Sequence, residues 1–203
     1  MVSRGSLILI LMVGLVLASC RSFDPVSPTP DPVLEPTVLP ETPTPAPDYV
    51  TRVRNAEYQL GLTDGLRIVE LTDGRFEQGT SGGEDYISVN VTDFTVRGDL
   101  NGDGFEEYAA MIAENYGGTG TFVFLAVFAD VDGKLKYQTS VLVDDRPLLN
   151  ELSIENGEVF LDATTHRSDE PMCCPTLRTE RHYRLIHNYL RMTDYVTFTP
   201  DGR

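Results

Sequence analysis

From about Tyr49 onward the apolar residues fall in short runs separated by turn-forming pairs, and several runs alternate strictly with polar residues. Ile87, Val89 and Val91 alternate with Ser88 and Asn90, the period-2 pattern of a half-buried strand. The turn signals recur at Thr63-Asp64-Gly65, Thr72-Asp73-Gly74, Val131-Asp132-Gly133 and Glu155-Asn156-Gly157, each beside β-branched or aromatic residues. Strands are expected near 66–71, 87–91, 108–113, 121–129, 137–143, 152–154, 159–164, 179–186, 189–192 and 195–198. The run Phe122 to Phe128 lacks polar alternation and is expected to be a central strand covered on both faces. Only 49–60 and the region around 146–152 leave room for a helical turn. The segments between turns share no fixed period, which argues against a propeller or solenoid. The expected fold is mainly β: a single antiparallel β-sandwich or partly open barrel-like domain with little helix, spanning 49–203.

The first 48 residues follow different rules. Arg4 precedes an apolar stretch from Leu7 to Leu17, and the segment closes with Leu17-Ala18-Ser19-Cys20. A run of about a dozen apolar residues is too short to span a bilayer. The segment 1–19 with its small-residue end and cysteine resembles a bacterial lipoprotein signal. The resemblance implies cleavage before Cys20 and lipidation of that cysteine, hence an exported protein anchored to the membrane at the cell envelope, on the outer face of the cytoplasmic membrane or on an outer membrane. Residue 21 is Arg rather than the Asp that marks inner-membrane retention. Nine of the 13 prolines then fall between Pro25 and Pro47, interleaved with Thr, Ser, Val, Asp and Glu. Residues 20–48 read as a Pro/Thr-rich tether, which as polyproline II could reach roughly 85 Å at about 3.1 Å per residue.

Charge narrows the partners. With 31 acidic against 16 basic residues the formal net charge is −15 at pH 7, and no basic cluster interrupts it. Such a field repels phosphates, which argues against nucleic acid.

One stretch has legible chemistry, Gly98-Asp99-Leu100-Asn101-Gly102-Asp103-Gly104-Phe105-Glu106-Glu107. Oxygen-bearing side chains stand at Asp99, Asn101, Asp103 and Glu107, and Gly104 permits the sharp turn that lets them converge on a hard cation. Ala110 occupies the place where an EF-hand needs its bidentate acid. The loop is similar instead to the Asp-x-Asn-x-Asp-Gly loops of dockerin and FG-GAP type domains. That resemblance implies side-chain ligation by Asp99, Asn101 and Asp103, carbonyl ligation by Phe105, and closure by Glu107 around a structural calcium ion. Glu107 departs from the commoner Asp at its place. The competing reading is a polar turn between strands.

A second unusual stretch is Asp169-Glu170-Pro171-Met172-Cys173-Cys174-Pro175-Thr176. Once Cys20 is lipidated, Cys173 and Cys174 are the remaining thiols. Neighbouring Cα atoms lie about 3.8 Å apart, short of the usual disulfide range. Three states are open: a vicinal disulfide shaping a rigid turn, two buried free thiols, or pairing across a dimer. Cys-x-x-Cys spacing is absent, which weakens zinc or oxidoreductase readings. The glycines from Gly117 to Gly120 lack a following Lys-Ser or Lys-Thr and read as a hairpin. Asp144-Asp145-Arg146-Pro147 reads as an acidic loop with a local ion pair. No Gly-x-Ser-x-Gly occurs, and His166, His182 and His187 have no recognisable acid or serine partner in the sequence, so no catalytic residue is named.

The lipobox, the tether, Asn55-Ala56-Glu57-Tyr58, the Asp99 loop, Gly117-Gly118-Thr119-Gly120 and Met172-Cys173-Cys174-Pro175 together resemble a set of uncharacterised bacterial exported lipoproteins. The resemblance supplies no activity. The expectation is a calcium-stabilised, non-enzymatic binding or structural module, its partner a protein, glycan or small ligand. The alternative is an exported thiol-redox protein or hydrolase using Cys173 and Cys174 or a carboxylate pair.

Overall fold

A computed structural model describes residues 48–63 and 66–198. The leader, Cys20, the tether up to Pro47, the centre of the turn at Asp64-Gly65 and the last five residues lie outside the described residues. Of the described residues 60% are in strands and 3% in helix, so the fold is mainly β, as the alternation pattern implies.

The order is a short helix α1 (Tyr49–Val53), then β1 (Glu57–Gln59), β2 (Ile68–Glu70), β3 (Arg75–Gln78), β4 (Ile87–Gly98), β5 (Glu107–Asn115), β6 (Phe122–Val131), β7 (Lys134–Asp145), β8 (Leu148–Glu155), β9 (Glu158–Thr165), β10 (Leu177–Ile186) and β11 (Tyr189–Phe198). Asp48 caps the helix by accepting from the Thr51 amide at 2.9 Å. Strands β3 to β7 form a five-stranded antiparallel meander, β8 to β11 a four-stranded one, and β1 pairs with β2. Register shifts interrupt β4–β5 between Val91 and Thr95, and β6–β7 after Val123 and after Val127. Bulges of this kind bend strands and increase twist, and the larger sheet is curled into a half-barrel.

This sheet is buried on both sides. One face packs Ala110, Ile112, Ala126 and Phe128 against Val53 of α1, Tyr58 of β1, Leu60 just after it and Val69 of β2. The other packs Ala109, Met111, Leu125 and Val127 against Leu152, Leu161, Tyr183 and Leu185 of the smaller sheet. Alternate residues of β5 and β6 therefore enter different cores, which explains why the run from Phe122 shows no polar alternation. The turns at Asp73-Gly74, Asp132-Gly133 and Asn156-Gly157 all take positive φ at both positions, the requirement that selects Asp-Gly and Asn-Gly in tight hairpins.

Several expectations are corrected. Residues 146–152 hold no helix: Arg146 is left-handed at φ 53°, Pro147 disfavours helix in the residue before it, and β8 begins at Leu148. The expected strands 189–192 and 195–198 are one continuous β11, paired along β10 with a bulge. Strands β1 and β3, three and four residues long, were too short to show a period.

Candidate functional site

The Asp99 loop joins β4 to β5, whose ends pair at Gly98 and Glu107. Asp99 turns both oxygens to the loop's own backbone, accepting from Gly102 N at 2.7 Å and Gly104 N at 3.0 Å. Gly102 and Gly104 both adopt left-handed backbone, at φ 82° and 87°. Asn101 Oδ1 accepts from Asp103 N at 2.8 Å, and Asp103 Oδ1 accepts from Phe105 N at 2.8 Å. The convergence point is the amide of Asn101, whose Nδ2 donates to Asp103 Oδ2 at 3.0 Å and to Glu107 Oε1 at 2.7 Å. Glu107 is only 3% exposed, and its other oxygen accepts from Leu100 N at 2.8 Å. Burial, and then the charges of Asp103 and Asp99, raise its pKa above the ordinary carboxylate range. Phe105 holds its ring in solvent.

Among the described residues no three His, Cys, Asp or Glu side chains are grouped so as to hold a metal. The loop's focus is two carboxylates and one amide. Turning that amide over, at the loss of the bond from Asp103 N, would present Oδ1 where Nδ2 now lies, giving three oxygens of the kind a hard cation takes. Asp99 stands apart from this focus.

The Cys-Cys stretch lies in the loop between β9 and β10. Cys173 and Cys174 are exposed and their sulfurs face each other as a close pair across a 3.8 Å Cα separation, which removes the option of two buried thiols. Glu170 clamps the loop, accepting from Arg167 N at 3.0 Å, Thr176 N at 3.1 Å and the Thr176 hydroxyl. At the loop's start, His166 has the acid partner that sequence spacing did not reveal: Asp144 Oδ2 accepts from His166 N at 2.6 Å and lies 3.0 Å from Nδ1. Asp145 pairs with Arg146 at 2.9 Å, the local ion pair expected there.

A third feature is an open groove of about 910 Å³ between α1 with the β1–β2 pair on one side and the β6–β7 hairpin on the other. Arg52 forms one wall. Its guanidinium donates to Tyr108 Oη at 3.0 Å and to Asp130 Oδ2 at 2.5 Å, and lies 5.4 Å from the Tyr108 ring centroid. The hydrogen bond from Arg52 holds the Asp130 carboxyl below its ordinary pKa range. Arg97 stacks 5.1 Å over Tyr49, and Lys136 meets Glu57 at 2.6 Å at the margin. Glu70 and Lys134 line the groove and are exposed, and their side chains have no hydrogen-bond partner among the described residues.

No family model, curated protein or solved structure matches this chain. The chemistry of these three places has to be judged from the residues themselves.

Sequence reasoning missed Glu114, which is fully buried at the end of β5. It accepts from Tyr58 Oη at 2.5 Å, from Gly61 N at 2.9 Å and from the Tyr116 hydroxyl. Burial first, and the adjacent carboxylate next, push both tyrosine hydroxyls above their ordinary range, so both remain donors. This anchor ties the β1–β2 connection to the large sheet. The groove was also missed, because Arg52 and Asp130 are 78 residues apart.

Proposed function

We propose that this chain is a cell-envelope lipoprotein, anchored through lipid on Cys20, whose β domain is a non-enzymatic binding module stabilised by calcium at the Asp99–Glu107 loop. The observation that carries this reading is the meeting of Asp103 and Glu107 on the side chain of Asn101, with Glu107 almost wholly buried at the start of the central strand β5. Two carboxylates directed at one point repel each other, and a cation there would offset that repulsion and the burial of Glu107 together. Asn101, Asp103, Glu107 and the Phe105 carbonyl are the groups that would hold it, and Asp99 would join them only by releasing the Gly102 and Gly104 amides. The ion's contribution would be structural: it would fix the β4–β5 connection at the edge of both cores.

The test is thermal unfolding of the purified full-length protein with excess calcium and with EDTA. Calcium at a hundred times its dissociation constant stabilises by about 2.7 kcal/mol, a shift of roughly 5 to 10 °C for a domain of this size. The shift should vanish in Asp103→Ala. Coincident curves for the unaltered protein would leave the loop a polar turn and remove calcium from the proposal.

A further inference from the structure

We infer that the groove between α1 and the β6–β7 hairpin is a binding site for a short neutral oligosaccharide. The inference rests on the binding-module reading and gives that module its ligand class.

The groove's charge differs from that of the chain as a whole. Its cations are Arg52, Arg97 and Lys134 and its acids Glu57, Glu70 and Asp130, an even balance in a protein whose formal net charge is −15. An anionic ligand would meet the long-range repulsion of the whole chain without a local excess of cations to offset it. A strongly cationic ligand would find two of the three acids already paired, Asp130 with Arg52 and Glu57 with Lys136. A neutral ligand avoids both.

The polar groups also suit hydroxyls. Each sugar hydroxyl both donates and accepts, and the groove's lining holds both kinds of partner, the Lys134 ammonium as donor and the Glu70 carboxylate as acceptor. Glu70 and Lys134 are the exposed pair whose side chains have no hydrogen-bond partner among the described residues, so a ligand need not break a native bond to engage them. The rest of the lining is held in place. Arg52 is fixed by Tyr108 and Asp130, and the Arg97 plane lies along Tyr49. Groups held in this way lose little freedom on binding. Tyr49, Leu71 and Leu135 add apolar surface that the C–H face of a sugar ring can cover.

The experiment is calorimetric titration of the calcium-loaded full-length protein with an N-acetylglucosamine tetramer, a β-1,4-glucose tetramer, a tetramer of galacturonate and an alanine tetrapeptide. At least one neutral tetramer should bind, and Glu70→Ala and Lys134→Ala should each weaken it about tenfold, the effect of losing one hydrogen bond to a charged group. Both residues are exposed, so the unfolding midpoints of these variants should match the unaltered protein. The inference is overturned if neither neutral tetramer binds, if the uronate or the peptide binds as well or better, or if both variants bind unchanged. Two readouts separate this from the parent reading. A calcium-dependent melting shift without sugar binding sinks the ligand class alone. A neutral tetramer that binds and is recovered cleaved by chromatography keeps the ligand class and sinks the non-enzymatic reading.

Discussion

Removing the carboxylate of Glu114 should be among the most damaging single changes in this domain. The side chain is fully buried and receives hydrogen bonds from Tyr58, Tyr116 and Gly61, and Tyr58 is itself 0% exposed. In Glu114→Ala the buried Tyr58 hydroxyl loses its acceptor, and so does the amide of Gly61, a residue that is itself exposed to solvent. Each unsatisfied buried donor costs about 1 to 3 kcal/mol, and the space left by the side chain adds a cavity cost. The expected loss is about 4 kcal/mol, a large share of the roughly 5 to 15 kcal/mol that holds a domain together. At about 2 to 4 °C per kcal/mol, the midpoint should fall by roughly 10 °C.

Two further variants give the reasoning its shape. Glu114→Gln keeps the size and one acceptor oxygen, and a phenolic hydroxyl can accept as well as donate, so the network can turn over; the expected cost is about 1 to 2 kcal/mol. Tyr58→Phe removes one charge-assisted bond, at about 1.5 to 3 kcal/mol. Urea unfolding of the three variants and of the Tyr58→Phe/Glu114→Gln pair supplies a double-mutant cycle, in which a coupling of about 1 kcal/mol or more is expected. A cost below about 1 kcal/mol for Glu114→Ala, or independent effects in the cycle, would refute the idea that this carboxylate anchors the β1–β2 cover to the sheet.

Two other outcomes follow from the structure. Arg178 and Asn150 donate to Asp162, and the guanidinium holds the Asp162 carboxyl below its ordinary pKa range, so the stabilisation is present above the unfolded value of about 3.9 and is lost as pH falls through the lower folded value. Because Arg178 is 52% exposed, Asp162→Asn should cost only about 1 kcal/mol at pH 7, and its urea midpoint should converge with that of the unaltered protein toward pH 3; an equal gap at both pH values would exclude the ion pair as the cause. A Cβ at Gly98 would lie 2.7 Å from Cγ2 of Ile154 across the two sheets, so Gly98→Ala should cost about 1 to 3 kcal/mol, with most of it recovered relative to the Ile154→Ala background; a cost unchanged in that background would rule out the clash.

What could be read from the sequence was local. Asp-Gly and Asn-Gly pairs determine their own hairpins because the backbone angles they allow are those of the turn. Phe122 to Phe128 announced its double burial because no residue in it could face water. Short β1 and β3 escaped because three or four residues carry too little period, and the room for a helical turn at 146–152 is closed by the constraint of Pro147 on Arg146. The Asp99 loop was legible as a cluster because its members lie within nine residues, although Asp99 itself turns to the loop backbone instead of joining Asp103 and Glu107.

The groove was hidden for the opposite reason, and that reason bears on function. A net charge of −15 describes an average, and averages do not report that Arg52 and Asp130, or Glu57 and Lys136, meet across nearly 80 residues of chain. The groove exists because one face of a five-stranded sheet is covered by a five-residue helix and two three-residue strands, which touch the β6–β7 hairpin through side chains such as Arg52 on Asp130 and Glu57 on Lys136 without closing over it. The other face, covered by four long strands, is closed over Met111, Leu125 and Leu161. An incomplete cover over a rigid sheet leaves polar side chains fixed by their neighbours and facing solvent, the combination that favours binding over mere solubility. Glu114 acts on this cover from the far end of β5: by accepting from Tyr58 and Gly61 it ties the β1–β2 connection to the sheet.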